Sequence, residues 1–385
     1  MNVPKLRFKE FTDEWKQTPL KNIIYSNIIE APKPTTDYIR LGIRSHCKGT
    51  FHELVKIENI LSADKMYIVP KNNLILNITF AWEQAIAITD DNDEGKYISN
   101  RFPTFAFKDN QLPTFYKYII PQKRLKYDLN VASPGGAGRN RVLNKKLFLS
   151  IPVNIPLLKE QEKIAKFLTT VDKKITNLEN TITSLENQKK GLLQQIFSQK
   201  LRFKDKNGNN YPNWEKKKLE DIAIFLDNKR KPLEQSERIH GKYPYYGASG
   251  IIDYINDYIF DEELVLLSED GANIIDRNYP ICYIATGKYW VNNHAHVLKV
   301  KSQYVNKFIC ESLEQLNYTK YNTGTAQPKL NQDVCRKIIL SIPCLEEQTK
   351  IANFLSTFDR KLENQKAQLE HWKQIKKGLL QQMFV

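Results

Sequence analysis

The feature that most constrains this chain is a repeat. Residues 155–175, IPLLKEQEKIAKFLTTVDKKI, align without a gap onto residues 342–362, IPCLEEQTKIANFLSTFDRKL, at a constant offset of 187. The register holds through KKGLLQQ, at 189–195 and again at 376–382, to Phe197 and Phe384. In the first copy apolar residues fall every three or four positions at Ile164, Leu168, Val171, Ile175, Leu178, Ile182 and Leu185, continuing through Leu192 and Ile196. In the second they fall at Ile351, Leu355, Phe358, Leu362, Leu369 and Trp372, continuing through Leu379 and Met383. This spacing predicts two supercoiled helices of about five heptads, each ~40 residues and ~60 Å long. Each follows a proline and opens on acidic residues (Glu160, Glu162; Glu346, Glu347), which suits a helix N-terminus. A lone helix would expose so narrow a stripe, so the two are expected to cover each other. Gly191 and Gly378 cost ~1 kcal/mol each relative to Ala. Their matched positions predict a close backbone approach or a common helix end.

Ahead of each helix lies a block rich in β-branched and aromatic residues and punctuated by Gly, Pro and Asn. NNLILNITFAW (72–82), KYISNRFPTFAF (96–107), ELVLLSEDG (263–271) and YPICYIATGKYW (279–290) read as short strands. The blocks are themselves related. LRFK recurs at 6–9 and 201–204, each time ahead of a Trp (Trp15, Trp214) and a Leu (Leu20, Leu219). GKYISN (95–100) answers GKYWVN (287–292), after which RFPTF and NHAHVL part company. The chain therefore reads as a tandem duplication: a globular domain (1–154), a helix (155–200), a second domain (201–341) and a second helix (342–385).

Charge suggests the partner. Against 43 Asp+Glu stand 58 Lys+Arg, a net +15 with pI near 9.3, which favours a polyanion. Five scattered cysteines suit reduced thiols in a cytoplasm, MNVPKLRFKEFTDEW lacks a signal-peptide core, and no run approaches the ~18 apolar residues of a membrane span. Duplicated frames with divergent loops suggest one task performed on two targets. With the positive charge, this predicts a bipartite reader of double-stranded DNA.

The pattern IP…L…EQ…I…FL…D that opens each long helix resembles the central conserved regions of the specificity (HsdS) subunits of Type I restriction-modification systems. GKYPYYGASGIIDY (241–254), LSEDGAN (267–273), GKYWVNNHAHVL (287–298) and TGTAQPKLN (323–331) resemble one class of that family's target-recognition domains. RLGIRSHCKGTF (40–51) with NITFAWEQAIA (77–87) resembles another. The resemblance spans essentially the whole chain. It implies an α+β fold with two target-recognition domains in tandem, each followed by a long helix. The helices would pair as an antiparallel coiled coil with pseudo-twofold symmetry. It implies a subunit without catalysis of its own, working with two modification (methyltransferase) and two restriction (translocase/endonuclease) subunits and no membrane. S-adenosylmethionine, ATP and Mg2+ would serve those partners, with no cofactor bound by this chain.

Two other function classes remain: a self-sufficient DNA methyltransferase or nuclease, and a coiled-coil scaffold that makes no sequence-specific DNA contact. An adenine methyltransferase needs a Gly-rich cofactor loop and an Asn/Asp-Pro-Pro-aromatic motif, and the sequence carries neither. SPGGAGRNR (133–141) lacks the strand–loop–helix setting of a dinucleotide site, and no GxxxxGK[ST] occurs. EWK at 14–16 fits a minimal nuclease pattern, but the counterpart around Trp214 does not keep it. His294 and His296 would share a strand face without further metal ligands at suitable spacing, so polar contact is expected rather than zinc. No catalytic and no metal residues are assigned.

Phosphates call for cations, and base edges for polar side chains. The candidates in the first domain are Arg40, Arg44, His46, Lys48, Arg101, Arg139 and Arg141. In the second they are Lys242, Tyr243, Tyr246, Ser249, Lys288, His294, His296, Gln327 and Lys329. Arg101 and His294 stand out because they follow the shared GKYxxN where the domains diverge. Lys173/Lys174 and Lys189/Lys190, on the helices, read as solvated or protein-docking faces.

Overall fold

A computed structural model describes residues 3–59, 65–135, 141–324 and 327–384. Both long helices are present, at Leu158–Phe197 and Leu345–Gln382. Contacts divide the chain into two units, Met1–Leu178 with Gln368–Val385, and Glu179–Ala367, so each long helix gives one end to each unit.

In the first unit, Asp172 of the first long helix pairs with Lys376 of the second at 2.7 Å. In the second unit, Glu186 pairs with Lys366 at 2.7 Å, and Lys189 with Asp359 at 2.6 Å. In the second unit the partner number falls as the number along the first helix rises, so the pairing there is antiparallel. Asp359 and Lys376 are the repeat copies of Asp172 and Lys189. One ion pair is thus made twice, with the roles exchanged.

The ends of the apolar stripes do more than cover each other. Ile164 and Leu168 enter the core of the first unit beside Trp15, Phe115, Leu379, Leu380, Met383 and Phe384. Ile351 and Leu355 enter the core of the second beside Leu193, Ile196, Phe197 and Phe308. Val171, Leu178, Ile182, Leu185 and Leu362 are buried along the helices. Ile175, Phe358, Leu369 and Trp372 are half-buried. Ile164, Leu168, Ile351 and Leu355, expected on the helix seam, thus also serve the globular cores. Each KKGLLQQ segment ends in a globular core built mainly by the other half of the sequence. A Cβ at Gly191 or Gly378 would meet nothing within 4 Å, and both residues lie within helix. Neither a close approach nor a helix end explains them.

The Glu-Gln dipeptide near each helix start has a larger role than charge at a helix terminus. Arg7 donates from Nε and Nη2 to Glu160, both at 2.7 Å, and Trp15 Nε1–H donates to it at 3.3 Å. Arg202 donates likewise to Glu347 at 2.7 and 2.8 Å, joined by Trp214 at 3.1 Å. Both carboxylates are buried, and LRFK recurs because each copy supplies the arginine that neutralises one. The next residue accepts the backbone N–H that opens a helix: Gln161 from Leu112 and Gln348 from Val305, both at 3.0 Å. Each glutamine also donates to the carbonyl of its own proline, Pro156 or Pro343.

The globular parts share one topology except for an extra edge strand, Ile29–Ala31, in the first. In the first unit a two-stranded sheet joins Lys16–Pro19 to Pro152–Ile155. A four-stranded sheet runs in the order Ile24–Ser26, Thr104–Phe107, Leu74–Leu76, Ile86–Ile88. A five-stranded sheet runs in the order Ile29–Ala31, Met66–Ile68, Tyr97–Ile98, Tyr38–Ile43, Thr50–Val55. The second unit repeats this with Glu215–Lys218 against Ile339–Ile342. Its first four-stranded sheet is Ala223–Phe225, Ala295–Val300, Leu264–Ser268, Cys282–Ala285. The other is Phe260–Asp261, Lys288–Val291, His240–Gly247, Gly250–Ile255. In both units the strand carrying GKYxxN lies parallel to the first strand of a hairpin, through Arg40↔Tyr97 and Tyr245↔Trp290.

Candidate nucleic-acid interface

In the first unit one loop collects most of the predicted contacts. NITFAWEQ (77–84) links Leu74–Leu76 to Ile86–Ile88 and closes on Gln84, whose backbone is left-handed at φ 58°. The hairpin turn 44–49 docks on it. His46 and Cys47, both left-handed, donate their N–H groups to the carbonyls of Glu83 (2.7 Å) and Gln84 (2.9 Å), and Ser45 Oγ donates to the Glu83 carboxylate. That leaves His46 and Lys48 exposed, while the Arg44 guanidinium lies 4.9 Å over the Phe51 ring. Burial pushes the neighbouring Cys47 thiol up to about 12, so it stays protonated and unreactive. On the loop's other flank Arg101 donates to Thr79 Oγ1 at 3.3 Å. Arg141 lies 5.2 Å over the Trp82 ring, braced by the carbonyls of Ser133 and Asn130.

Arg44, His46, Lys48, Arg101 and Arg141 are therefore brought together, with half-buried Trp82 among them. Sequence reading passed over Trp82. A tryptophan in an otherwise strand-like run reads as core until its loop is known. Arg40 stands apart, held on its strand by Glu53 at 2.7 Å. Arg139 lies outside the described residues.

The second unit gathers a matching group. The loop after Leu264–Ser268 carries Glu269, Asp270 and Gly271, and the segment 327–330 lies against it. Gly271 N–H donates to the Pro328 carbonyl at 3.0 Å, and Leu330 N–H to the Glu269 carbonyl at 2.6 Å. A Cβ on Gly324 would stand 1.8 Å from the Gln327 carbonyl oxygen, so this turn requires glycine. Gln327 and Lys329 are exposed, with Lys329 Nζ 3.4 Å from Glu269. His294, half-exposed, turns Nδ1 onto Asp270 at 2.8 Å. Ser249 is exposed at the hairpin turn, which Tyr283 and Ser268 fix by donating to the carbonyls of Gly247 and Ala248.

Other predicted contacts fall elsewhere. Lys242, Tyr243 and Lys288 cluster at the opposite end of these strands, where the Tyr243 and Tyr258 rings meet at 5.1 Å and Lys288 lies over Tyr258. That end is about 13 Å from Asn292 at ~3.3 Å per residue. Tyr246 is committed to packing, between Tyr283 at 5.7 Å and Tyr289 at 5.5 Å. Lys189 is half-buried in ion pairs with Glu311 and Asp359, so the reading of a solvated face is corrected there.

His296 is also corrected. It is fully buried on Ala295–Val300, with Nδ1 2.6 Å from Asp227 and Nε2 2.7 Å from the Leu330 carbonyl, and no base can reach it. Burial lowers its pKa, but hydrogen bonds and charge from Asp227 and Cys335 overcome that and raise it to about 10. Asp227 is held below its usual range: burial opposes ionisation, but His296, the Val297 N–H and Arg230 outweigh it. Asp227, Glu269 and His296 place ligand-type atoms within 4.8 Å of one another. Arg230 already occupies that group, 2.6 Å from Glu269 and 3.4 Å from Asp227. With His296 on Asp227 and Lys329 3.4 Å from Glu269, cationic side chains already pair both carboxylates.

No helix among the described residues is long and apolar enough to cross a membrane. A family model described as the Type I restriction modification DNA specificity domain matches residues 17–187 and again 211–371. The Type I restriction enzyme MjaVIII specificity subunit of Methanocaldococcus jannaschii is 25% identical over 382 residues, covering 91% of this chain and 84% of that one. A putative type I restriction enzyme specificity subunit of Haemophilus influenzae, S.HindORF215P, is 38% identical over 139 residues, 36% of each chain. The chain thus spans about a third of the length of that relative. In fold it is similar to the crystal structure of the Type-I restriction-modification system S subunit from M. genitalium, at TM-score 0.65 and 15% identity, covering 100% of this chain and 99% of that one. Matched twice over most of its length, the chain belongs to the Type I restriction-modification DNA specificity family.

Proposed function

We infer that this chain is the DNA sequence-specificity subunit of a type I restriction-modification complex and has no catalytic activity of its own. One observation carries the reading: a chain of this family builds the same frame twice and equips the two loop clusters with different side chains. Arg44, His46, Lys48, Arg101 and Arg141 stand in one, and Ser249, His294, Gln327 and Lys329 in the other. Each unit reads one half of a bipartite target. Cations supply the salt-dependent, sequence-independent part of the affinity, and polar tips supply base discrimination. The long helices set the unspecified gap and dock two modification subunits, and two restriction subunits complete the assembly. S-adenosylmethionine, ATP and Mg2+ act on those partners. The experiment is methylated-base sequencing of DNA from cells making this chain with its modification subunit. A two-part motif with a fixed gap is expected. Methylation by the isolated chain would favour a self-sufficient enzyme, and sequence-independent binding would favour a scaffold.

A further inference from the structure

Arg101 and His294 both follow GKYxxN and occupy the same place in the two frames, although their positions after the motif differ by one residue. Arg101 directly follows Asn100, whereas His294 is two residues beyond Asn292. Backbone pairing removes the ambiguity. In the first unit the amide of Ile78, just past Leu74–Leu76, donates to the Arg101 carbonyl at 3.0 Å. In the second the amide of Glu269, just past the equivalent strand Leu264–Ser268, donates to the His294 carbonyl at 2.9 Å. The residue after each donor then holds the side chain. Thr79 follows Ile78 and accepts from Arg101 Nη1 at 3.3 Å, while Asp270 follows Glu269 and meets His294 Nδ1 at 2.8 Å.

We propose that Arg101 and His294 are counterpart base-reading residues, one in each unit, with Thr79 and Asp270 as their positioning residues. The proposal rests on the DNA-reading function inferred above. Reading a base edge requires an exposed polar tip on a fixed stem. Both side chains are exposed, and each stem is tied by its carbonyl and by its amide, which Ser99 Oγ accepts for Arg101 and Asn292 Oδ1 for His294.

The two tips read differently. Thr79 takes one guanidinium N–H and leaves the rest of the fork to meet the O6 and N7 acceptors of guanine. A carboxylate only accepts, so Asp270 keeps the proton of a neutral His294 on Nδ1. Nε2 then presents a lone pair, which suits an exocyclic amino group, adenine N6 or cytosine N4. A carboxylate this near a phosphate-binding surface repels DNA, and orienting the imidazole gives it a reason to be there.

The test starts from the motif of the intact complex and measures binding to duplexes altered at one base pair at a time. Arg101→Ala should lose discrimination at a single guanine by about tenfold or more. His294→Ala should do the same at a single adenine or cytosine in the opposite half-site, with every other position unchanged. Replacing that base by purine or 2-pyrimidinone, which lack the amino group, should weaken the unaltered protein but not His294→Ala. Asp270→Asn should lose part of the same discrimination at an unchanged melting temperature, and Arg101→Lys should behave as Arg101→Ala because it lacks the fork. A uniform drop in affinity with the motif intact would make both residues phosphate contacts and overturn the proposal, as would effects of both variants in the same half-site. Absence of any two-part motif in the unaltered complex would instead overturn the underlying function, and this proposal with it.

Discussion

His296 is a charged side chain sealed inside a protein, and its partners make that possible. Its folded pKa, raised to about 10 from an ordinary 6.5, means that the folded state holds a proton the unfolded chain releases between those values. The stability it contributes is fully present below about pH 6.5 and is lost as pH rises toward 10, by at most about 1.4 kcal/mol per pH unit. Thermal melts from pH 6.5 to 10 should therefore fall more steeply for the unaltered protein than for His296→Gln. The variant should be the less stable near neutrality, and the two curves should converge at alkaline pH. Parallel curves would mean that the imidazole is neutral when buried. The sequence showed His294 and His296 as a pair two residues apart. It could not show that the strand starts between them, leaving one in a loop and the other in the core.

At the scale of elements the repeat was fully legible, because a 3.5-residue apolar period has few structural solutions. The exchange of helix ends was not. Each heptad stripe looks the same whether its last turns meet a partner helix or a globular core, so Leu379, Met383 and Phe384 gave no sign that they pack beside Trp15. Nor did periodicity explain the Glu-Gln dipeptides: the glutamates answer to Arg7, Trp15, Arg202 and Trp214, far away along the chain, and the glutamines to Leu112 and Val305. The interlocked ion pairs bear on how a spacer can be lengthened. Glu186 meets Lys366 across the pair, so an insertion in one helix alone would shift one side of the register. Four helix-forming residues after Leu185 matched by four after Lys366 add one turn to both, ~6 Å of rise, with only a modest rotation of the seam. At ~3.4 Å per base pair this corresponds to one or two base pairs. The methylated motif should keep both half-sites and gain one or two positions in its gap. An active complex with the original gap would show that the helices do not set it.

Across the whole molecule, the duplication separates what the chain keeps from what it varies. The sheet order, the parallel GKYxxN strand and the Arg–Glu–Trp clamp are held in common. The loop tips differ: Thr79 stands in one unit where Asp270 stands in the other, and Trp82 with Arg141 belongs to the first and Lys329 to the second. Strand-like runs and divergence after a shared motif were enough to foresee two related domains with different loops. Which cations gather at the loop tips was not foreseeable, because it depends on loops folding against one another. Replacing residues 21–150 by the corresponding segment of a relative with a known motif tests this division directly, read out by methylated-base sequencing. The account predicts a hybrid motif in which one half-site takes the relative's sequence while the other half-site and the gap stay as they were. A motif altered in both halves, or in neither, would contradict it.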